Sequence, residues 1–249
     1  MTLDKWSRTP KHILRMKCLD DVSRKFKPGC FLEIGSGNGD LTSFFIRKNF
    51  YGKCYDIGSE TRAILKEIFA FKNSDIIEVL DGLEELSESY FDYLFAFEVL
   101  EHIEDDMNAL LSWSRYLKRE GVLLISVPAH MKAFGPEDDA VGHYRRYEKK
   151  SLYNLVESCG YKDIAIYNYG FPLGNLTRKI SLFLDKKEED KKELTMEQKS
   201  IMSGIERKKI TNKISFLFNE YAIFPFFVIQ RMFYNRDLGD GYVLFARKQ

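Results

Sequence analysis

Residues 31–42, FLEIGSGNGDLT, constrain the fold of this chain more than any other stretch. Phe31, Leu32 and Ile34 read as a buried strand, Gly35, Gly37 and Gly39 as a turn, and Leu41, Phe44 and Phe45 as one face of a helix at i, i+3, i+4 spacing. Strand, glycine turn and helix in immediate succession make a nucleotide-binding βα turn. Glycine permits positive φ there and lets a ligand approach where a Cβ would clash. The spacing is G-x-G-x-G with Glu33 before it, unlike the G-x-G-x-x-G of dinucleotide enzymes. The absence of G-K-[ST] after the glycines excludes a P-loop. A carboxylate at the strand end suits a cationic or amino-acid-bearing ligand better than a pyrophosphate.

The motif E-I-G-S-G-N-G resembles motif I of the class I S-adenosylmethionine-dependent methyltransferases. The resemblance implies S-adenosylmethionine as cofactor, held by Glu33, Gly35, Ser36, Gly37, Asn38 and Gly39. Further landmarks follow at the right distances. A second strand over 51–57 carries Asp56, twenty-three residues after Glu33, where an acid of a βαβ unit can accept both ribose hydroxyls, with Ile57 beside it. A third strand over 75–80 ends in Asp81-Gly82, which resembles the family's adenine contact and also fits a plain turn. The apolar run 91–97 predicts a central strand buried on both faces, with Phe97, Glu98 and Val99 at its cofactor end. A helix over 104–117 and a fifth strand over 122–127 complete the alternation, which implies a parallel sheet with right-handed crossovers and ligands at the strand carboxyl ends.

The expected architecture is an α/β, doubly wound, seven-stranded, mostly parallel sheet whose last strand, 242–247, is antiparallel. A helical cap over 1–28 precedes a core of 29–170 and 240–249, and a helical insertion over 171–239 comes before the last strand. The 249 residues with 45% apolar content suffice for one large domain with insertions. A formal net charge of +1 makes no global case for nucleic acid. Cys18, Cys30, Cys54 and Cys159 form no C-x-x-C pair and read as reduced core thiols of a cytoplasmic protein. The polar, charged N-terminus does not read as a signal peptide. No apolar run approaches the ~20 residues of a membrane span. The aromatic stretch 214–234 reads as a cover helix, an acceptor lid or a homodimer interface.

The acceptor side is expected in the loop 129–148. It contains His130 and the run Gly142-His-Tyr-Arg-Arg-Tyr147, which resembles a signature of a methyltransferase subgroup often acting on small-molecule or glycan acceptors. His143 is the best proton acceptor by intrinsic pKa. Tyr144 and His130 are candidate acceptor contacts, and Arg145 and Arg146 could hold an acceptor carboxylate or phosphate. Trp6 and Arg8 are weaker candidates from the cap.

The run 98–102, E-V-L-E-H, predicts a helical turn that brings Glu98, Glu101 and His102 onto one face, with catalytic roles for Glu98 and His102 beside His143. With His143 or His130 these groups could ligate a divalent metal. The pattern resembles metal-dependent small-RNA 2′-O-methyltransferases and ubiquinone-pathway O-methyltransferases, but it also occurs in metal-free relatives, and a metal-free pocket is the preferred reading. No N-P-P-[YF] motif is present, which favours an oxygen acceptor or an amine already neutral. The alternatives are a non-catalytic S-adenosylmethionine-binding protein and a dinucleotide-dependent oxidoreductase, the latter disfavoured by the glycine spacing.

Overall fold

The computed structural model describes residues 9–70, 75–178, 195–205 and 220–249. Its strands are β1 (Cys30–Ile34), β2 (Tyr51–Tyr55), β3 (Ile77–Val79), β4 (Phe91–Phe97), β5 (Leu117–Pro128), β6 (Tyr161–Tyr169) and β7 (Gly241–Lys248). They form one sheet in the order β3-β2-β1-β4-β5-β7-β6. The pairs from β3 to β5 are parallel, and β7 runs antiparallel to both β5 and β6. The doubly wound sheet with an antiparallel last strand is therefore as the sequence predicts.

Helices α1 (Pro10–Val22), α2 (Asp40–Ile46) and α3 (Ser59–Ala70) cover one face. Cys18, Leu19, Phe45, Leu65 and Phe69 from these helices pack there with Phe31, Phe95 and Val243. Helices α4 (Asp106–Ser114) and α6 (Lys149–Ser158) cover the other, where Leu110, Trp113, Leu152 and Val156 meet Leu32, Leu94, Leu123 and Leu244. Alternate strand residues thus feed two cores, so β1 and β4 carry near-continuous apolar runs instead of an alternating pattern. Two helix starts have a local cause. Thr9 caps α1 by accepting from His12 N, and Pro10 occupies its first turn. Asp105 caps α4.

Two boundaries differ from expectation. The fourth helix stops at Ser114, and β5 begins at Leu117, not at 122. Phe91 pairs with Leu117 but Tyr93 pairs with Val122, so residues 118–121 bulge outward with Glu120 at φ +61°. The charged side chains of that bulge hide the strand in the sequence. The four cysteines are buried and unpaired.

Helix α5 (Pro136–Val141) lies in the loop after β5. The chain between β6 and β7 is helical where it is described, at 173–178, α7 (Met196–Ile205) and α8 (Glu220–Phe233). Phe216 and Phe218 of the aromatic stretch lie outside the described residues, as do Trp6 and Arg8. Ile223 of α8 packs on Ile13 and Leu14 of α1 and on Leu173. Buried Gln230 joins three elements: its Oε1 accepts from Gly170 N at 2.8 Å and its Nε2 donates to Leu14 O at 3.1 Å. Among the described residues, no helix is long and apolar enough to cross a membrane.

Two outcomes are expected. Gln230→Leu strands a buried N–H and a buried carbonyl, each costing about 1–3 kcal/mol. Chemical denaturation should report a loss of about 2–4 kcal/mol, and unchanged stability would separate α8 from the core. The second concerns Glu33, which is buried in β1 and whose carboxyl burial pushes up to about 8 despite a hydrogen bond from Thr42. A raised folded pKa contributes stability below the ordinary carboxylate range that is lost as pH rises toward 8. Between pH 5 and 8 the wild-type melting temperature should therefore fall more steeply than that of Glu33→Gln, and parallel curves would contradict this.

Candidate functional site

The glycine turn is fastened to the end of β2. Gly35 N and Ser36 N donate to Tyr55 O at 2.8 and 3.2 Å, and Gly37 N donates to Asp56 Oδ2 at 2.9 Å. Gly35, Gly37 and Gly39 all have positive φ. A Cβ on Gly35 would lie 2.3 Å from Val99 Cγ2, so the turn and the end of β4 approach as closely as glycine allows. Asp56 Oδ1 accepts from Gly58 N at 3.0 Å. Burial raises the Asp56 pKa against the pull of these two amides. Ile57 is 53% exposed beside it. Asp81 is exposed and paired with Lys66 at 2.7 Å, which lowers its pKa.

Glu98 sits at the end of β4 with φ +56°, a conformation that a non-glycine residue holds only when its surroundings enforce it. Ser126 Oγ and Tyr169 OH donate to its Oε1 at 3.2 and 3.1 Å. Arg15 Nη1 lies 3.4 Å from Oε1 and Lys11 Nζ 3.5 Å from Oε2. Burial alone would raise this carboxyl; the two cations overcome it and hold Glu98 ionised, well below the usual carboxylate range. Arg15 also donates to His12 Nδ1 at 3.0 Å, and His12 Nε2 meets Asp40 Oδ2 at 2.8 Å. Helix α1 is thereby coupled to both the glycine-turn helix and the end of β4. Sequence reasoning missed Lys11 and Arg15. Their signal was the i, i+4 spacing of two cations on one helix face.

The chain after Glu98 does not continue as the α-turn expected. It enters a 3₁₀ turn at Leu100–His102, which separates the two carboxylates. Glu98 therefore joins Lys11 and Arg15, whereas Glu101 and His102 join His143. Ligand atoms of Glu101, His102 and His143 lie within 4.8 Å of one another, and neither Glu98 nor His130 belongs to this group. Glu101 is fully buried, and neither of its carboxylate oxygens has a hydrogen-bond partner. Burial, then the charge of Glu98, raises its pKa well above the ordinary value. His143 Nε2 is 3.8 Å from Glu101 Oε1. The two imidazoles pack edge to face with centroids 4.6 Å apart. His102 Nδ1 faces Gly142 O at 3.1 Å, and because a carbonyl only accepts, that nitrogen carries the proton. Burial, then His143, lowers the His102 pKa to about 4, so its Nε2 offers a lone pair.

The Gly142–Tyr147 segment fastens His143 in place. Tyr144 N donates to Glu101 O at 2.8 Å. Tyr147 OH donates to Asp106 Oδ2 at 2.8 Å. Arg145 pairs with Asp106 at 2.8 Å and donates to Glu104 O. Arg146 is buried, with Nε 2.9 Å from both Asp138 oxygens and Nη1 3.1 Å from Asp240 Oδ1. Both guanidiniums, expected at the acceptor, are engaged by local carboxylates and carbonyls, Arg145 through Nη1 and Nη2. Tyr144 is exposed. His130, at φ +66°, lies 3.6 Å from both Glu148 and Asp237, apart from the Glu101 group. Asp240 was also missed, whereas Asp138 is legible only as one of three consecutive acids, 137–139, in the loop.

A family model described as a methyltransferase domain matches residues 11–166, more than half of the chain. No curated protein matches the sequence. An S-adenosylmethionine-dependent methyltransferase from Archaeoglobus fulgidus superposes with a TM-score of 0.55 at 16% identity, over 94% of this chain and 93% of that one. Haemonchus contortus phosphoethanolamine N-methyltransferase 2, in complex with S-adenosyl-L-methionine, superposes with a TM-score of 0.59 at 17% identity, covering 94% of this chain and 52% of that one. The [4+2]-cyclase SpnF does so at 0.57 and 16% identity, over 94% and 80%. At these identities the likeness is one of fold, and the cyclase shows that the fold does not dictate the reaction. The family assignment rests on the domain match, which spans the glycine turn, Asp56 and the Glu101 group alike: the chain belongs to the methyltransferase-domain family and is an S-adenosylmethionine-dependent methyltransferase.

Proposed function

We propose that the chain methylates a hydroxyl, or a neutral amine, of a small-molecule or glycan-type acceptor seated beside Glu101, His102 and His143. The observation that carries this reading is the group itself: two imidazoles and a fully buried carboxyl without a hydrogen bond, side by side after the central strand.

The cofactor fits the opposite side of that strand end. Each oxygen of Asp56 accepts one backbone N–H and keeps a second lone pair for a ribose hydroxyl. Ile57 offers an apolar face to a base, with Asp81 and Gly82 at its edge. Glu33, Gly35, Ser36, Gly37, Asn38, Gly39, Phe97 and Val99 bound the rest. When bound, S-adenosylmethionine supplies a methyl carbon made electrophilic by its sulfonium. The work left to the chain is to align the acceptor with that carbon and to take a proton from it.

Glu101, His102 and His143 also fit a divalent ion. Carboxylate and imidazole are ordinary ligand types, and each histidine donates from its other nitrogen to a carbonyl or a carboxylate, as metal-bound histidines do. An ion there would acidify an acceptor hydroxyl. Without one, His143 is the proton acceptor. We read the insertion 171–239 as the acceptor lid. In support, Ile201 Cγ2 is 3.0 Å from where a Cβ on Gly58 would stand, and Met196 O is 2.5 Å from one on Gly142. Helix α7 thus bridges the two sides. A homodimer role for 214–234 is the competing reading.

Asp56→Ala should weaken S-adenosylmethionine binding by roughly 1.5–3 kcal/mol, the scale of hydrogen bonds to a charged group. Calorimetry checks this, and wild-type affinity would remove the ribose assignment. Turnover should survive chelator treatment with His143 as base, and His143→Ala should cost roughly 10²–10⁴-fold in kcat. Turnover lost in chelator and restored by magnesium, manganese or zinc would instead assign the group to an ion.

A further inference from the structure

We infer that Asp138 is a positioning residue that fixes the tautomer of His143 and so aims its Nε2 lone pair at the reaction centre, with Arg146 and Asp240 holding Asp138 in register. The inference rests on the reading that His143 serves that centre through Nε2, and it assigns a task to three residues that touch neither cofactor nor acceptor.

Among the described residues three groups meet the Asp138 carboxylate, and two of them, a backbone N–H and a guanidinium, can only donate. Gly135 N reaches Oδ2 at 3.0 Å, Arg146 Nε reaches both oxygens at 2.9 Å, and His143 Nδ1 reaches Oδ1 at 2.8 Å. Asp138 is 2% exposed. An ionised carboxylate only accepts, so Nδ1 of His143 must carry a hydrogen, and in the neutral ring the lone pair falls on Nε2, facing Glu101. The backbone supports the same pose, since His143 N donates to Asp138 O at 3.0 Å. Asp138 cannot swing away, because the far side of Arg146 is held by Asp240 Oδ1 at 3.1 Å and by Ala129 O at 3.4 Å. Asp240 is fixed in turn by its backbone: Ala129 N donates to Asp240 O at 3.0 Å. The chain of contacts Asp240–Arg146–Asp138–His143 therefore runs from the start of β7 to the imidazole.

Asparagine at 138 breaks this logic with little change of shape. At the Oδ2 position its amide oxygen keeps both fixed donors, Gly135 N and Arg146 Nε, whereas at the Oδ1 position it would leave its NH₂ against Gly135 N. In the first pose the NH₂ turns toward Nδ1, which must then accept, and the ring hydrogen moves to Nε2.

Long-range ¹H–¹⁵N spectroscopy of histidine-labelled protein tests this, with His143→Gln assigning the signal. Wild type should show His143 as the Nδ1–H tautomer. Asp138→Asn should show Nε2–H, bind S-adenosylmethionine as wild type does, and bind Zn²⁺ or Mn²⁺ alone roughly 10–100-fold more weakly by calorimetry. Wild-type His143 found in the Nε2–H form overturns the inference, and so does an Asp138→Asn protein that binds the cofactor normally yet keeps the Nδ1–H form. Should Asp138→Asn fail to fold, the wild-type spectrum decides by itself. Wild-type protein that binds neither ion removes the ion reading of the site, while the tautomer still decides the role of Asp138.

Discussion

The buried Arg146 guanidinium, clamped between Asp138 and Asp240, is the interaction on which the rest of the site depends. Its planar fork can satisfy two carboxylates at once, which an ammonium group would do poorly. Burying such charges is costly, and removing one partner alone leaves the others without compensation. The arrangement therefore acts more as a lock than as a source of stability. It joins the loop after β5 to the entrance of β7, neighbours in the sheet that lie far apart in the chain. Lys11, 3.2 Å from Asp240 and also paired with Glu98, extends the same lock to α1.

Within this frame, two carboxyls three residues apart are driven in opposite directions. Glu98, beside Lys11 and Arg15, is held ionised; Glu101, sealed from water and lacking hydrogen bonds, has its charge opposed. Environments that push like groups apart are the usual mark of a divided chemical task. The division follows the contacts: Glu98 meets Lys11 and Arg15, whereas Glu101, in the 3₁₀ turn that follows, meets His143.

What was legible in the sequence follows from how local each signal is. The glycine turn, Asp56 and the parallel strands could be read because each is written in a few contiguous residues whose types admit few alternatives. His143 and the pair Glu101-His102 were legible for the same reason. The assignment of Glu98 to their company failed because it assumed an α-turn, and the backbone takes a positive φ that only the fold around Glu98 can impose. Arg145 and Arg146 were read as acceptor contacts; that they engage Asp106, Asp138 and Asp240 was not legible, because those partners lie on three separate elements. Lys11 and Arg15 escaped because their charges matter only once α1 is laid against β4. Long-range pairing, not residue type, is the missing information.

The position of β7 bears on how the chain can fold. It fills the gap between β5 and β6, yet residues 170–240 separate it from β6. Until Gly241–Lys248 arrives, β5 and β6 each present an unpaired edge lined with buried-type side chains. Such edges invite pairing with other chains, and closing so long a loop is slow. A nascent chain must therefore keep two open strand edges apart while the whole insertion is synthesised. The lock around Arg146 cannot form before then either, because Asp240 enters the fold with that same strand.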